Sequence, residues 1–413
     1  MLRHCACCAA IAVALQGCSL GPSALRSDRP KYNIAAQRSS SEQLLLNMVR
    51  LKYREPASFL VISSISAHFN YSADAGLSMT LPEGAANVFG VSGGGGYAEQ
   101  PTITYTPLQG GEFATRVMSE IDMNTFILLV RGGWDIDHIM RLTVERIGRL
   151  QNRPMIGPDP GEAESSYDRF IELAKVWKRL QDNGRLLFLM TPGEDVTLAR
   201  SIAPEEVRAA DIISADKDGY WYHKGKDGEL ELRKSGPRSL VIRATYASEK
   251  EAEAVDDCLD INPKRKRGGK GRIAETIELV RLSEWHEGED APASRAKVPV
   301  QLRSFSDVLY YVASGIEVPE CHAAKGLVKT YIDADGDVVD RRRFTRDLLD
   351  IRCSALRPSN AFVAVHYRGR WFYIDDADVR SKDTFALLGI IFAIQAGEAP
   401  SAQPVLTIPV AGG

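Results

Sequence analysis

Apolar residues recur at helical spacing in five separate stretches of the chain. Leu44, Leu45, Met48, Val49 and Leu51 form the first stripe. Ser39, Ser40 and Ser41 precede it as N-cap candidates, with Glu42 and Gln43 at capping-box spacing from the first two, and Pro56 closes it. The second stripe is Ile136, Ile139, Met140, Val144, Ile147 and Leu150, capped by Asp135 after the Gly132-Gly133 break. Phe170, Leu173, Ala174, Trp177 and Leu180 form the third, capped by Ser165, and Phe305, Val308, Leu309 and Val312 the fourth, capped by Ser304. The fifth runs from a Ser381 cap to Ile394 and is apolar almost all round, the pattern of a helix buried in a core.

Between the stripes the pattern is that of strands. Residues 59–71, 76–81, 102–106, 186–190, 240–246, 276–282 and 405–410 are short and β-rich. Asp218-Gly219 and Asp227-Gly228 are hairpin turns, and Arg368-Gly369-Arg370 joins 362–367 to 371–374 as a third. Residues 84–96 are glycine-rich without apolar period, and three prolines and two glycines make 152–164 a connection. The expected fold is α+β, with antiparallel sheets and packed amphipathic helices in two domains, 38–151 and 165–413, the second carrying a basic insertion at 259–273. Residues 18–37, with Gly21, Pro22 and Pro30 and no apolar period, read as a flexible tether.

Charge changes this picture little. A net charge of −3 over 413 residues excludes a generally basic nucleic-acid binder. The strongest local feature is the run Lys264, Arg265, Lys266, Arg267, Lys270 and Arg272. It reads either as a solvated insertion or as a contact for anionic lipid headgroups or phosphorylated polymers. The longest later apolar run, 385–394, is half the roughly 20 residues that a helical membrane span needs.

No catalytic set emerges. The glycines of 90–96 lack the Gly-Lys-Ser/Thr ending of a phosphate loop and sit between strand-like segments, so a hairpin loop is expected there. Asp333, Asp335 and Asp337 resemble part of a calcium loop, but Gly336 comes too early and a turn is expected. Ser214/Lys217 and Ser294/Lys297 have the Ser-x-x-Lys spacing without its companion segments. None of the seven histidines pairs at metal spacing, and His138 is expected on the wetter side of its helix. No metal or cofactor is therefore expected. Asp375, Asp376 and Asp378 follow a strand, where carboxylates can act as acid and base; the plainer reading is that they cap and solubilise the last helix.

The first eighteen residues have the layout of a secretory signal. Arg3 and His4 are basic, 5–15 are apolar, and small residues precede Cys18. Leu15-Gln16-Gly17-Cys18 resembles the lipobox of bacterial lipoproteins, in which the cysteine is acylated and becomes the first mature residue. Export would leave Cys258, Cys321 and Cys353 in an oxidising compartment. Cys321 and Cys353 flank one folding unit and are the expected pair if a disulfide forms; otherwise all three are small buried residues. Residues 42–53, with 367–376 and 381–388, are similar to terminal motifs of uncharacterised proteobacterial lipoproteins. That resemblance implies an envelope protein on the outer membrane facing the periplasm, Ser19 after the cysteine agreeing with such sorting. It brings no catalytic residues. The expected role is a non-enzymatic binding or scaffold component, tethered by its N-terminal lipid and partnered by another envelope protein or polymer, not nucleic acid. The alternative is a lipid-anchored periplasmic enzyme using the acidic cluster.

Overall fold

A computed structural model describes residues 20–80, 88–152, 160–225, 228–261, 266–267, 273–285, 296–332, 336, 338–345 and 347–397. The elements run α1 (Leu20–Lys52), β1 (Phe59–Thr80), β2 (Val88–Leu108), α2 (Gly111–Met118), α3 (Met123–Arg131), α4 (Ile136–Thr143), β3 (Val144–Ile147) and β4 (Leu150–Gln151). There follow α5 (Pro160–Asp182), β5 (Leu186–Ile202), α6 (Ala209–Lys217), β6 (Tyr220–Lys224), β7 (Leu230–Tyr246), α7 (Glu249–Leu259), β8 (Lys266–Arg267) and β9 (Ile273–Arg281). The last are β10 (Ala296–Leu302), α8 (Phe305–Ser314), α9 (Glu320–Ala324), α10 (Arg342–Thr345), β11 (Arg352–Ser354), β12 (Ala361–Tyr367), β13 (Arg370–Asp375) and α11 (Val379–Ala396). The fold is α+β, as its patterning predicts.

Three sheets organise it. The largest has the order β4-β3-β10-β9-β7-β5, with β6 on β7 and β8 on β9; the β9–β10 pair is parallel and its other pairings are antiparallel. β11-β13-β12 is a small antiparallel sheet. β1 and β2 form a sheet of two. The two stretches on either side of the connection expected at 152–164 share a sheet and a core. β3 pairs with β10 across it, and one cluster of buried side chains runs from Leu44 to Ala396.

Two expectations are corrected here. From Leu20 onward the expected tether is helix, continuous with the 44–51 stripe and containing Pro30. Ala35, Ala36, Gln37 and Arg38 are good helix formers, and Lys31–Asp28 and Arg38–Glu42 pair at helical spacing, 3.2 and 3.0 Å. The helix is held at its other end, where Leu44, Leu45, Met48, Val49 and Leu51 are all buried. At about 1.5–3 kcal/mol each, their burial outweighs the roughly 3 kcal/mol of an interior proline. The second correction concerns glycine-rich 88–96, expected in a loop and found in β2, where Gly93 to Gly96 pair with Ala75 to Ser72.

The second stripe also changes structure partway. α4 stops at Thr143 and Val144 begins β3. Asn152 Nδ2 donates to the carbonyls of Arg141 (2.8 Å), Val144 (2.7 Å) and Met140 (3.3 Å), occupying acceptors that a longer helix would use. The last helix fits its prediction in place but not all round. Leu387, Leu388 and Ile391 are fully buried, whereas Ile390 and Ile394 are exposed. Its N-cap is Asp378, whose Oδ1 accepts from Ser381 N at 3.1 Å. The hairpin at 368–370 forms as expected, with Arg368 and Gly369 both at positive φ. Residues 405–410 lie outside the described residues.

α8 ends against the 342–345 turn with no room to spare. A Cβ on Gly315 would stand 1.6 Å from Oγ1 and 2.7 Å from Cβ of Thr345, which is itself wholly buried. Gly315→Ala should therefore lower stability by about 1–3 kcal/mol through overpacking. Chemical denaturation checks it; an unchanged midpoint would mean that the two segments separate at little cost.

Candidate functional site

The end of α1, Glu145 of β3, Arg303 with α8, and Lys329, Tyr331 and Arg341 line a cavity of about 380 Å³. Its wall carries Lys52, Arg54, Arg303, Lys329 and Arg341 against two carboxylates, Glu145 and Asp307, with Tyr310, Tyr311 and Tyr331 between them. Asp307 is committed to the capping box of α8, its Oδ2 accepting from Ser304 Oγ at 2.6 Å. The balance of the wall is positive.

Tyr331 arranges three of these cations. Arg54 Nη2 donates to its hydroxyl at 3.2 Å. The Arg341 guanidinium lies 4.3 Å and Lys329 Nζ 4.8 Å from its ring centroid. The ring is set by a short turn: Val339 N donates to Tyr331 O at 2.9 Å and Ile332 bridges Val338. That turn contains Gly336 at φ 91°, where glycine is favoured. It is the turn expected from the aspartate cluster; Asp333, Asp335 and Asp337 themselves lie outside the described residues.

Lys52 is strongly perturbed. Its Nζ donates to Ser314 O at 2.6 Å. Burial, and then the charges of Arg341, Arg342 and Arg54 against only Asp340, pull its pKa down to about 8. At neutral pH it is thus a cation held among cations. The arrangement suits an anion that shares hydrogen bonds with several donors at once.

A second cluster sits behind the end of α1. Tyr53 Oη and His322 Nδ1 are 2.6 Å apart and both residues are buried. Burial lowers the His322 pKa, which favours the neutral ring accepting from the hydroxyl, and burial pushes Tyr53 up to about 12. Cys321 and Cys353, the pair to look to if a disulfide forms, are not bonded in this structure. Cys321, Cys353 and Cys258 are free thiols, although Cys321 and Cys353 interact electrostatically with each other and with Tyr53.

The acidic cluster is scattered in its engagements. Asp375 accepts from Asn360 Nδ2 and Ala377 N, both at 3.0 Å; Asp376 pairs with Lys382 at 2.8 Å; Asp378 caps α11. None of the three lines the cationic cavity. Ligand atoms of Asp135, Asp137 and His138 lie within 4.8 Å of one another. A cation already serves them: Arg380 donates to His138 Nε2 at 3.3 Å and to Asp137 Oδ2 at 3.0 Å. His138 is also buried at 3 % exposure, not on the wet side of its helix as expected, and burial lowers its pKa.

Of the basic insertion, Lys266 and Arg267 form the short strand β8 on β9. Lys264, Arg265, Lys270 and Arg272 lie outside the described residues, as does Cys18. The cationic wall has no signature in the sequence. Its members come from four distant segments with no shared motif, and the only local signal was the run Arg341 to Arg343.

No protein-family model, curated protein or solved structure matches the chain.

The depressed Lys52 pKa has a consequence for stability. The folded protein gives up this proton near pH 8 and the unfolded chain near 10.5, so the buried charge destabilises the fold below pH 8 and stability rises between those values. Lys52→Met should gain thermal stability over the parent at pH 7, with the gain fading as pH approaches 10.5. Melting curves across that range check it. A variant less stable than the parent at pH 7 would mean that the bond to Ser314 outweighs desolvation.

Proposed function

We propose that the chain is an envelope lipoprotein, acylated at Cys18 and held on the outer membrane facing the periplasm, whose body binds an anionic group of another envelope component. The observation that carries the binding role is the cationic cavity bounded by Lys52, Arg54, Lys329 and Arg341 on a tyrosine frame. A phosphate or carboxylate there gains charge-assisted hydrogen bonds of about 1.5–3 kcal/mol each. The cavity has the volume for a group the size of a phosphorylated sugar. The role is binding rather than turnover: among the described residues the cavity wall pairs no nucleophile with a base, and the carboxylates Asp375, Asp376 and Asp378 are engaged in local pairs and caps. The basic insertion, Lys264 to Arg272, adds a contact to the anionic membrane surface.

Calorimetry of the full chain with inorganic phosphate and with a sugar phosphate tests the binding site. Arg54→Ala should weaken binding about tenfold or more. Affinity should also fall between pH 7 and 9 as Lys52 loses its proton, since the arginines stay charged throughout. Absence of binding, or equal affinity at both pH values, would remove this reading.

Acylation is tested separately. Cys18→Ala should abolish the acyl mass on the mature chain, read by mass spectrometry. An unchanged mass would show that Cys18 is not the anchor.

A further inference from the structure

The hairpin of β1 and β2 is out of scale with the rest of the fold. Each strand has more than twenty residues, about 70 Å at 3.3 Å per residue, and among the described residues the two pair only with each other. Its root is packed, Phe59 and Leu108 being buried in the common core. Beyond a bulge at Ile62/Ser64 the register is unbroken to Thr80↔Val88.

That register sorts the residues sharply. Tyr71↔Tyr97 and Met79↔Phe89 lie on one face and mark its two ends. Between them the same face holds Ala73, Ala75, Leu77 and Val91, with Gly93 and Gly95. It carries no charge and no polar group other than the two tyrosines at its end. The opposite face over the same span holds Ser72, Asp74, Ser78 and Ser92, with glycines between. Residues 71–79 alternate apolar with polar or glycine, and their partners 89–97 place Phe89, Val91 and Tyr97 on the same face, with glycine at 93 and 95. A strand tilted about 45° needs about 9–11 residues to cross hydrocarbon, and spanning barrels show an apolar outer band about 25 Å tall with aromatic residues at its margins. Among the described residues no helix is long and apolar enough to cross a membrane. The hairpin meets that length by the other route.

The two outer edges decide what else is needed. In hydrocarbon every backbone N–H and C=O must be satisfied within protein, and an isolated pair of strands leaves half of them bare. Further copies of the same hairpin supply identical edges. We propose that residues 71–79 and 89–97 cross the lipid bilayer, the Tyr71/Tyr97 face toward the acyl chains, and that copies of this chain join edge to edge into a closed barrel whose water-filled side is the Ser72/Asp74/Ser78 face. Barrels of this kind have about eight strands or more, so at least about four copies take part. The inference takes its compartment from the proposed envelope location, but its test does not depend on Cys18.

The test uses the full chain in sealed phosphatidylethanolamine–phosphatidylglycerol vesicles. Protease should leave a protected fragment from each strand containing 71–79 and 89–97, and crosslinking should give oligomers of at least about four copies. Leu77→Arg, on the lipid face, should abolish both results. Ser78→Arg, one residue along on the water face, should keep them and change single-channel conductance. The melting transition of the body, monitored alongside, shows that each variant is folded. Digestion of the wild-type hairpin, protection in a monomer, or equal behaviour of the two arginine variants would each overturn the proposal. An acylated chain that floats with vesicles while its hairpin is digested refutes the barrel and keeps the anchor. Protection without acyl mass does the reverse.

Discussion

The guanidinium of Arg303 is the contact on which most of the body depends. It is 2 % exposed. Nη1 donates to the carbonyls of Arg141 (2.8 Å) and Leu142 (3.0 Å) at the end of α4, and Nη2 to Asn152 O beyond β4. Its plane lies 4.0 Å from the Tyr311 ring centroid on α8. Its own backbone continues the tie: N donates to Thr143 O, and O accepts from Ile121 N. A buried charge of this kind is tolerable only when its donors are spent on fixed acceptors, and helix-end carbonyls are such acceptors. One residue thereby ties together the end of α4, the chain just after β4, the end of the inner strand β10 and α8. The same residue lines the cationic cavity, so the site is built where these elements are tied together.

That placement explains why Lys52 can stay where it is. An ammonium near other cations loses solvation and gains repulsion, and elsewhere on a surface the side chain would swing away. Here its Nζ is drawn to Ser314 O, at the end of a helix whose far end Arg303 and the Ser304–Asp307 capping box hold. The wall keeps a destabilising charge because its backbone cannot relax. Such uncompensated arrangements are expected at sites shaped for a ligand and not for stability alone.

Much of the fold was legible in the sequence where one period ran without competition. The stripe 305–312 with its Ser304 capping box, and the Arg368-Gly369 hairpin, are local patterns with local causes. The stripe 136–150 misled because both a helix and an edge strand bury the same residues, and the choice was made by Asn152 and Arg303, which arrive from outside the segment. Residues 88–96 misled differently. Glycine gives no apolar signal, so strand β2 was visible only through its partner, where Tyr71 to Met79 impose the alternation and the register. The cationic wall was not legible at all, since no single segment holds more than a few of its members.

The hairpin and the body answer to different constraints, which is why one chain contains both. In the body, helices and the eight-stranded sheet cover each other, and one buried cluster satisfies the apolar faces. The hairpin has no third strand among the described residues. In water a two-stranded ribbon is marginal, and an apolar face with bare edges is an aggregation template. Lengthening such a ribbon well past its packed root therefore works against the fold unless the face and edges are covered in the working state. Hydrocarbon covers a face and leaves edges unsatisfied; a second copy covers an edge and leaves the face open. Only the two together complete the hairpin. Glycines at 93–96 then have a physical use as well, since small residues let neighbouring strands twist and approach closely as a sheet curls toward closure.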